Sequence, residues 1–320
     1  MRFGRHMPTG SRPAQALRTA RQIGGDAAQV FVTNPRAWRA SAPNPAQEAA
    51  FRAAATETGI APVVVHAAYL INLASPKDDF YTASAELLRA TLDRAARHGA
   101  SSVVFHIGSH TGSGESAGIA RLTDGIRRVL EGAPEGVMLL LENDTGGGGK
   151  IGYAFENLAA VLDQLPEHRH QLGVCLDTAH LWGAGFDIGT PEGAARTLAD
   201  ADRVIGLDRV PVIHLNDTPE GLGSHRDHHA RIAEGIIPVE GLAAFLRHPG
   251  LANATIILET PIKESAPGTP DWDDDRAHMA RARALAGLPM PVELPADAGA
   301  EPMPSATPLP LSLQGEGTKE

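Results

Sequence analysis

Six short apolar runs in the sequence each end in a histidine or a carboxylate, a pattern with clear chemical potential. The terminal residues are His66, His106, Glu142, Asp177, His214 and Glu259. If the runs are parallel strands of one barrel, their carboxyl ends share one face and these six side chains crowd a single mouth. Packing carboxylates and imidazoles together is costly unless a cation compensates them. The pattern therefore predicts a metal site.

Three further candidate ligands lie just beyond these ends, at His180, Asp227 and His229. The Asp-x-x-His and Asp-x-His spacings that they form are short enough for chelation. The full set has five histidines, four carboxylates and no thiolate, which suits zinc or manganese. Nine ligands exceed the four or so that one ion takes, so two or three metal ions are expected. Such multinuclear sites favour phosphoester hydrolysis.

The elements that must position these residues repeat along the chain. Apolar runs end near residues 6, 33, 66, 106, 142, 177, 214 and 259, and Ala/Leu/Arg-rich amphipathic runs separate them. One such run covers Ser84–His98 and stops at Gly99, a residue that commonly ends helices. Eight βα units within residues 1–288 predict a (β/α)8 TIM barrel, and an open doubly wound sheet is the alternative.

Composition limits the setting in which the chain works. A single cysteine, Cys175, excludes a disulfide framework and fits a reducing compartment. The most apolar stretch, Ala61 to Ala74, falls short of the ~20 residues of a membrane span, and no apolar signal follows Met1. We therefore expect a cytoplasmic protein with no membrane partner.

The last 32 residues, 289–320, differ from the rest. They hold 7 of the 24 prolines and five acids against one base, and they lack helical or strand periodicity. This predicts a disordered, acidic, Pro-rich tail behind a catalytic barrel domain of residues 1–288. The tail carries −4 of the net charge of −10, so the domain carries −10 − (−4) = −6.

The sequence resembles the endonuclease IV family of apurinic/apyrimidinic (AP) endonucleases over nearly all of residues 1–288. The family belongs to the xylose-isomerase-like TIM barrels. The matching stretches are Asn34-Pro-Arg-Ala-Trp38-Arg39, His66-Ala-Ala-Tyr69-Leu-Ile-Asn72, Phe105-His-Ile-Gly-Ser-His110, Leu141-Glu-Asn143, Gly173-Val-Cys-Leu-Asp177-Thr-Ala-His180, His214-Leu-Asn216-Asp217, Asp227-His-His229 and Leu258-Glu-Thr-Pro261.

The resemblance implies a DNA-repair enzyme that holds three zinc ions, cleaves the DNA backbone 5′ to an abasic site and leaves a 3′-hydroxyl. Manganese is possible at one site. By this carry-over, His66 and His106 hold the first zinc, and Glu142 bridges it to a second. Asp177, His214 and Glu259 complete the second site; His180, Asp227 and His229 hold the third. Glu142 is the implied catalytic residue, which orients or deprotonates the attacking hydroxide.

The resemblance also assigns DNA contacts to Arg36, Trp38 and Tyr69, whose insertion stabilises an extruded nucleotide. The implied partner is duplex DNA containing abasic sites. Three zinc ions would add +6 to the −6 of the domain, so the negative charge does not exclude this partner. We expect the enzyme to act as a monomer.

The chain also departs from the family pattern in ways that bear on rate and DNA affinity. Ala179 replaces the cysteine of the usual Asp-Thr-Cys-His, and His228 the arginine of the usual Asp-Arg-His. Losing that arginine is expected to weaken a phosphate contact, although Arg226 and Arg231 flank the position. The opening Gly4-Arg-His-Met also differs from the usual Gly-Ala-His-Val-Ser.

One other function is compatible with part of the pattern. Glu142, Asp177, His214 and Glu259 alone would suit a sugar isomerase or epimerase with one manganese or magnesium ion. Such an enzyme has no need of the other five ligands.

Two further expectations concern residues away from this site. His98 and His278 are expected at the surface, and Trp272-Asp-Asp-Asp275 is interpreted as a solvated helix start.

Overall fold

A computed structural model describes residues 1–291, which form a closed barrel of eight parallel strands in sequential order. The barrel strands are β1 (Arg2–Met7), β2 (Ala28–Val30), β3 (Val63–His66), β4 (Ser102–His106), β5 (Met138–Glu142), β6 (Leu172–Asp177), β7 (Val212–His214) and β8 (Thr255–Leu258). Pairing of β1 with β8 closes the barrel, with Arg2 opposite Thr255. The predicted TIM barrel is therefore confirmed.

Helices surround the barrel and connect its strands. They are α1 (Pro13–Gln22), α2 (Pro45–Thr58), α3 (Asp78–His98), α4 (Glu115–Leu130), α5 (Phe155–Leu162), α6 (Thr178–Gly183), α7 (Pro191–Val204), α8 (Val239–Leu246) and α9 (Trp272–Leu285). A small hairpin, β9 (Glu264–Ala266) and β10 (Thr269–Pro270), precedes α9. No helix within residues 1–291 combines the length and apolar character needed to cross a bilayer.

Most strand ends lie at or within one residue of the predicted positions. The exception is β2, which ends at Val30 instead of near Thr33. Val30 pairs with Val65 of β3, and β3 itself ends one residue later, so the chain beyond Val30 has little strand left to pair with. The predicted tail at 289–320 lies almost wholly outside the described residues, and the domain boundary at 288 stays a prediction.

The barrel interior is built in layers because successive strand residues alternate between the inside and the helix-facing side. A lower inner layer of apolar residues is buried: Ala27, Val64, Val104, Leu140, Cys175, Val212 and Ile257. Two residues further along each strand, towards its carboxyl end, lies an upper layer. We call it the upper ring: His6, Gln29, His66, His106, Glu142, Asp177, His214 and Glu259.

The side chain of Arg5 points out of the barrel, whereas that of the next residue, His6, points inward. Arg5 is buried beneath α9, where it contacts Asp275. Its Nε lies 3.0 Å from Oδ2 of Asp275, and its guanidinium donates to Thr260. Arg231 lies 3.1 Å from the other Asp275 oxygen. Asp275 thus joins β1 and the loop that carries His229, while Arg5 also holds the residue next to Glu259.

Two predictions about exposure were wrong. Asp275 was interpreted as part of a solvated helix start, and His98 and His278 were expected at the surface, but all three residues are buried.

Candidate metal centre

The upper ring lies at the carboxyl ends of the strands and supplies six of the nine predicted ligands. Each member reaches the mouth because it follows an inward-facing apolar residue by two positions. The other three, His180 on α6 and Asp227 and His229 in the β7–α8 loop, complete the same mouth. The structure therefore brings all nine together, while their roles as metal ligands remain a prediction.

The first group of donor atoms consists of His66, His106 and Glu142, which lie within 4.8 Å of one another. Nε2 of His66 is 3.2 Å and Nδ1 of His106 is 3.6 Å from the same Glu142 oxygen, Oε2. The strand register explains this proximity, because His106 lies directly opposite Glu142 across β4 and β5.

The second group shares Glu142 with the first. Glu142, Asp177, His214 and Glu259 offer donor atoms within 4.8 Å of one another. Nδ1 of His214 is 2.8 Å from Oε1 of Glu142 and 3.2 Å from Oε2 of Glu259. Each oxygen of Glu142 therefore faces a different group, the geometry needed for a carboxylate shared by two ions.

The third group contains His180, Asp227 and His229. Nε2 of His180 is 3.1 Å and Nε2 of His229 is 3.4 Å from Oδ1 of Asp227. Asp177 also offers a donor atom within 4.8 Å of both histidines, although the family resemblance implied a place for it in the second group only. Asp177 thus stands between the second and third groups, as Glu142 stands between the first and second.

Three of the histidines have their outer ring nitrogen fixed by a hydrogen bond. Nδ1 of His66 contacts the carbonyl of Ala67, and Nδ1 of His180 contacts that of Asn143, each at 2.8 Å. A carbonyl only accepts, so both rings carry a proton on Nδ1. Nε2 faces the mouth, and it is the atom that offers a lone pair when the ring is neutral. His214 shows the reverse arrangement, in which Nε2 contacts Oε1 of Gln29 at 2.9 Å.

At His180 and Glu142, neighbouring opposite charges overcome the effect of burial on the pKa. Burial lowers the pKa of His180, but the carboxylates of Asp177 and Asp227 outweigh it and hold this pKa well above its ordinary value. Burial raises the pKa of Glu142, yet His106 and His214 hold it well below its usual range. Without metal, the lowered pKa keeps Glu142 ionised, and this buried charge needs positive charge beside it.

The donor atoms fit divalent metal ions. Nε2 of His180 and Nε2 of His229 are buried without a hydrogen-bond partner, although carboxylate oxygens are close to both. Imidazole nitrogens and carboxylate oxygens clustered in this way are typical ligands of such ions. Three groups linked by two shared carboxylates therefore supply ligand atoms for more than one ion.

Two members of the upper ring were missed by the sequence analysis. His6 places Nδ1 3.1 Å from Oε1 of Glu259, and Nε2 of Gln29 lies 2.5 Å from the same oxygen. The two-residue interval between layers was the available signal, since Gly4 precedes His6 and Ala27 precedes Gln29 by the same spacing as in the other strands.

The residues expected to contact a substrate lie around this mouth. Tyr69 packs on the first group, with its ring centre 5.7 Å from that of His66 and 5.9 Å from that of His106. Arg36 and Trp38 are exposed on the β2–α2 loop, where Trp38 makes an edge-to-face contact with Phe80. Phe80 had no sequence signal because it lies in a polar helix start.

The two arginines that flank His228 differ in location. Arg226 is exposed, whereas Arg231 is buried and bound to Asp274 and Asp275. Arg231 is therefore a structural residue, and Arg226 is the flanking arginine that lies at the surface. His228 itself contacts Glu220, with 2.7 Å between Nδ1 and Oε1.

Comparisons with known proteins agree with this geometry. The profile of the family "Xylose isomerase-like TIM barrel" matches residues 17–282. A relative in Chloroflexus aurantiacus, named "Probable endonuclease 4", is 41% identical over 285 residues, which cover 89% of this chain and 98% of the relative. The crystal structure of endonuclease IV from Thermus thermophilus superposes with a TM-score of 0.77 at 37% identity, covering 90% of this chain and 99% of that one.

A more distant structure shares only the fold. D-psicose 3-epimerase from Clostridium cellulolyticum superposes with a TM-score of 0.65 at 16% identity, covering 89% of this chain and 99% of its own. Because identity to the endonuclease 4 relatives is far higher and extends over almost their whole length, the chain belongs to the endonuclease IV family of the xylose isomerase-like TIM barrels.

Proposed function

We propose that this protein is a DNA-repair endonuclease that hydrolyses the phosphodiester 5′ to an abasic site in duplex DNA and leaves a 3′-hydroxyl. The observation that carries the proposal is the sharing of two buried carboxylates, Glu142 and Asp177, among three donor groups. A mononuclear isomerase needs only the second group. Five further side chains in the same mouth are explained by a multinuclear hydrolase.

The chain's own residues have separable tasks in this reaction. Bound zinc ions would act as Lewis acids on the phosphodiester and make water more acidic. Glu142, held ionised by His106 and His214, orients the attacking water or takes its proton. The rim side chains His106, Asp227 and His229 are 24%, 22% and 18% exposed, so a phosphate can reach the group edges.

The face that surrounds the mouth is suited to DNA. Within residues 1–291, the exposed large apolar side chains all lie in loops after barrel strands or in the first turn of the next helix: Trp38, Phe80, Tyr153, Leu222, Ile236 and Val239. We assign Arg36 and Trp38 to the DNA groove and Tyr69 to the space beside the lesion. A missing base lowers the cost of extruding the nucleotide.

Replacing Trp38 with alanine should weaken binding to abasic-site duplex about tenfold, because base–aromatic stacking contributes ~1–3 kcal/mol. Fluorescence anisotropy with a labelled duplex measures the dissociation constant. The same duplex without the lesion serves as the control and should show a smaller change. Equal affinity of the variant and wild-type proteins for the lesion duplex would remove Trp38 from the binding face.

Several finer properties belong to the same proposal. We infer three zinc ions per chain, with manganese possible at one site, and a cytoplasmic enzyme that acts as a monomer. Residues 1–288 form the catalytic domain. Elemental analysis of the purified full chain should return close to three ions per chain, and a count of one would favour the epimerase instead.

The experiment that separates the two functions measures both activities on one preparation. The full chain is assayed on a duplex with one abasic site, on the same duplex without the lesion, and on a ketose. We expect incision of the lesion duplex alone, loss of incision on prolonged chelation and recovery with zinc. Ketose turnover without incision at any zinc or manganese concentration would reverse the assignment.

A further inference from the structure

Gln29 is buried on β2 in the upper ring, yet it belongs to none of the three donor groups. We propose that Gln29 is a positioning residue whose carboxamide fixes the ring of His214 and the carboxylate of Glu259 towards the second group. This inference rests on the proposed metal-dependent function. It gives a task to the one upper-ring side chain that can neither ligate through nitrogen nor carry charge.

The contacts of Gln29 determine the orientation of its carboxamide. Its Nε2 lies 2.5 Å from Oε1 of Glu259 and its Oε1 lies 2.9 Å from Nε2 of His214. An ionised carboxylate only accepts hydrogen bonds, so the NH2 group must face Glu259. The carbonyl oxygen is then left for His214, whose Nε2 must carry the proton that it donates.

This proton has a direct consequence for the second group. With Nε2 of His214 protonated, the lone pair of the neutral ring is on Nδ1. That atom faces the carboxylate oxygens of Glu142 at 2.8 Å, Glu259 at 3.2 Å and Asp177 at 3.9 Å. Gln29 therefore selects the tautomer that presents a lone pair to the site, and it also holds one oxygen of Glu259 so that the other faces inward.

The role of Gln29 is distinct from that of the corresponding contacts at His66 and His180. Those rings are fixed by backbone carbonyls, which a side-chain substitution leaves in place. His214 instead depends on a side chain 185 residues away in sequence. His6 completes the arrangement, with Nδ1 3.0 Å from Nε2 of Gln29. Of these three histidines, His214 is thus the one whose fixing contact a single side-chain substitution can remove.

The test compares the substitution Gln29→Met with Gln171→Met. Gln171 is also buried, but its side chain contacts the carbonyl of Pro134, and it precedes β6 at the opposite end of the barrel. Zinc is titrated into each metal-free full-length protein against a chromophoric chelator, and the cobalt-substituted forms are compared by absorption. Loss of such a supporting contact typically weakens metal binding ~10–100-fold.

We expect one ion to bind at least tenfold more weakly in Gln29→Met, with an altered cobalt spectrum, and no change in Gln171→Met. Equal zinc affinity and identical spectra for Gln29→Met and wild type would overturn the positioning role while leaving the proposed function intact. Absence of metal binding by the wild-type protein would overturn both.

A second measurement needs no variant of Gln29. Long-range ¹H–¹⁵N spectra of the zinc-loaded wild-type protein, labelled at histidine, report which ring nitrogen carries the proton. The His214 signals are assigned by their loss in His214→Asn. A proton on Nε2 of His214 is the expected result, and a proton on Nδ1 would overturn the inference.

Discussion

Replacing Glu142 with glutamine is expected to reduce the rate of incision of abasic-site DNA by about 10³-fold or more, the scale on which single electrostatic contributions act in active sites. Glu142 is closed to solvent, and its two oxygens face the first and second donor groups. The amide keeps the shape of the side chain but removes the charge that the two groups share. Single-turnover incision under saturating enzyme measures the chemical step.

A matched control for this substitution is Glu131→Gln. Glu131 is exposed directly after α4, at the end of the barrel away from the mouth. The incision rate of the Glu131→Gln protein should therefore equal that of the wild-type protein. Retention of more than about a tenth of the wild-type rate by Glu142→Gln would contradict the role of this carboxylate. The metal content of Glu142→Gln should fall as well. A lower metal content shows that the variant has lost the metal site and not merely the ability to bind substrate.

The second large effect concerns stability. Asp275→Asn should destabilise the protein by about 3 kcal/mol or more, because removing one partner of a buried ion pair leaves an uncompensated charge. The charge left without an ion-pair partner is that of Arg5, whose side chain is 1% exposed, whereas Arg231 keeps its contact with Asp274. Burial and the neighbouring Arg231 already act against the protonated guanidinium of Arg5 by lowering its pKa. Urea unfolding monitored by circular dichroism measures the change.

Asp273→Asn is the matched control, since Asp273 is exposed in the same first turn of α9. Its effect on the free energy of unfolding should stay within about 0.5 kcal/mol. The double substitution Arg5→Leu with Asp275→Leu should be less destabilising than Asp275→Asn, because the charge of Arg5 is removed together with that of Asp275. If Asp275→Asn were as stable as the wild-type protein, the ion pair would not hold β1 against α9.

The sequence predicted the parts of the fold that local patterns encode. Apolar runs with β-branched residues identified all eight strands, and the helix ending at His98 stops at Gly99 as expected. The sequence pattern predicted the wrong end for β2 because residues 31–33 are also good strand formers. Whether they pair is decided by the neighbouring strand, which a local pattern does not contain.

The candidate site was predictable wherever a strand ended in a chemically distinctive residue. Gln29 gave no such signal, because one glutamine in a strand is ordinary. Its importance depends on closure of the barrel, which brings it to His214 across the interior. Likewise, an aspartate in the first turn of a helix suits solvent and the helix dipole, and only the packing of α9 over Arg5 buries Asp275.

The proposed hydrolysis is tested most directly by locating the cut and its chemical ends. A 5′-labelled duplex with one abasic site is treated with the zinc-loaded full chain, and the product is mapped to the nucleotide and offered to a DNA polymerase. We predict a single break 5′ to the lesion whose 3′ end is extended without further processing, and no break after chelation. A break 3′ to the lesion, or one that persists without metal, would contradict the proposed hydrolysis.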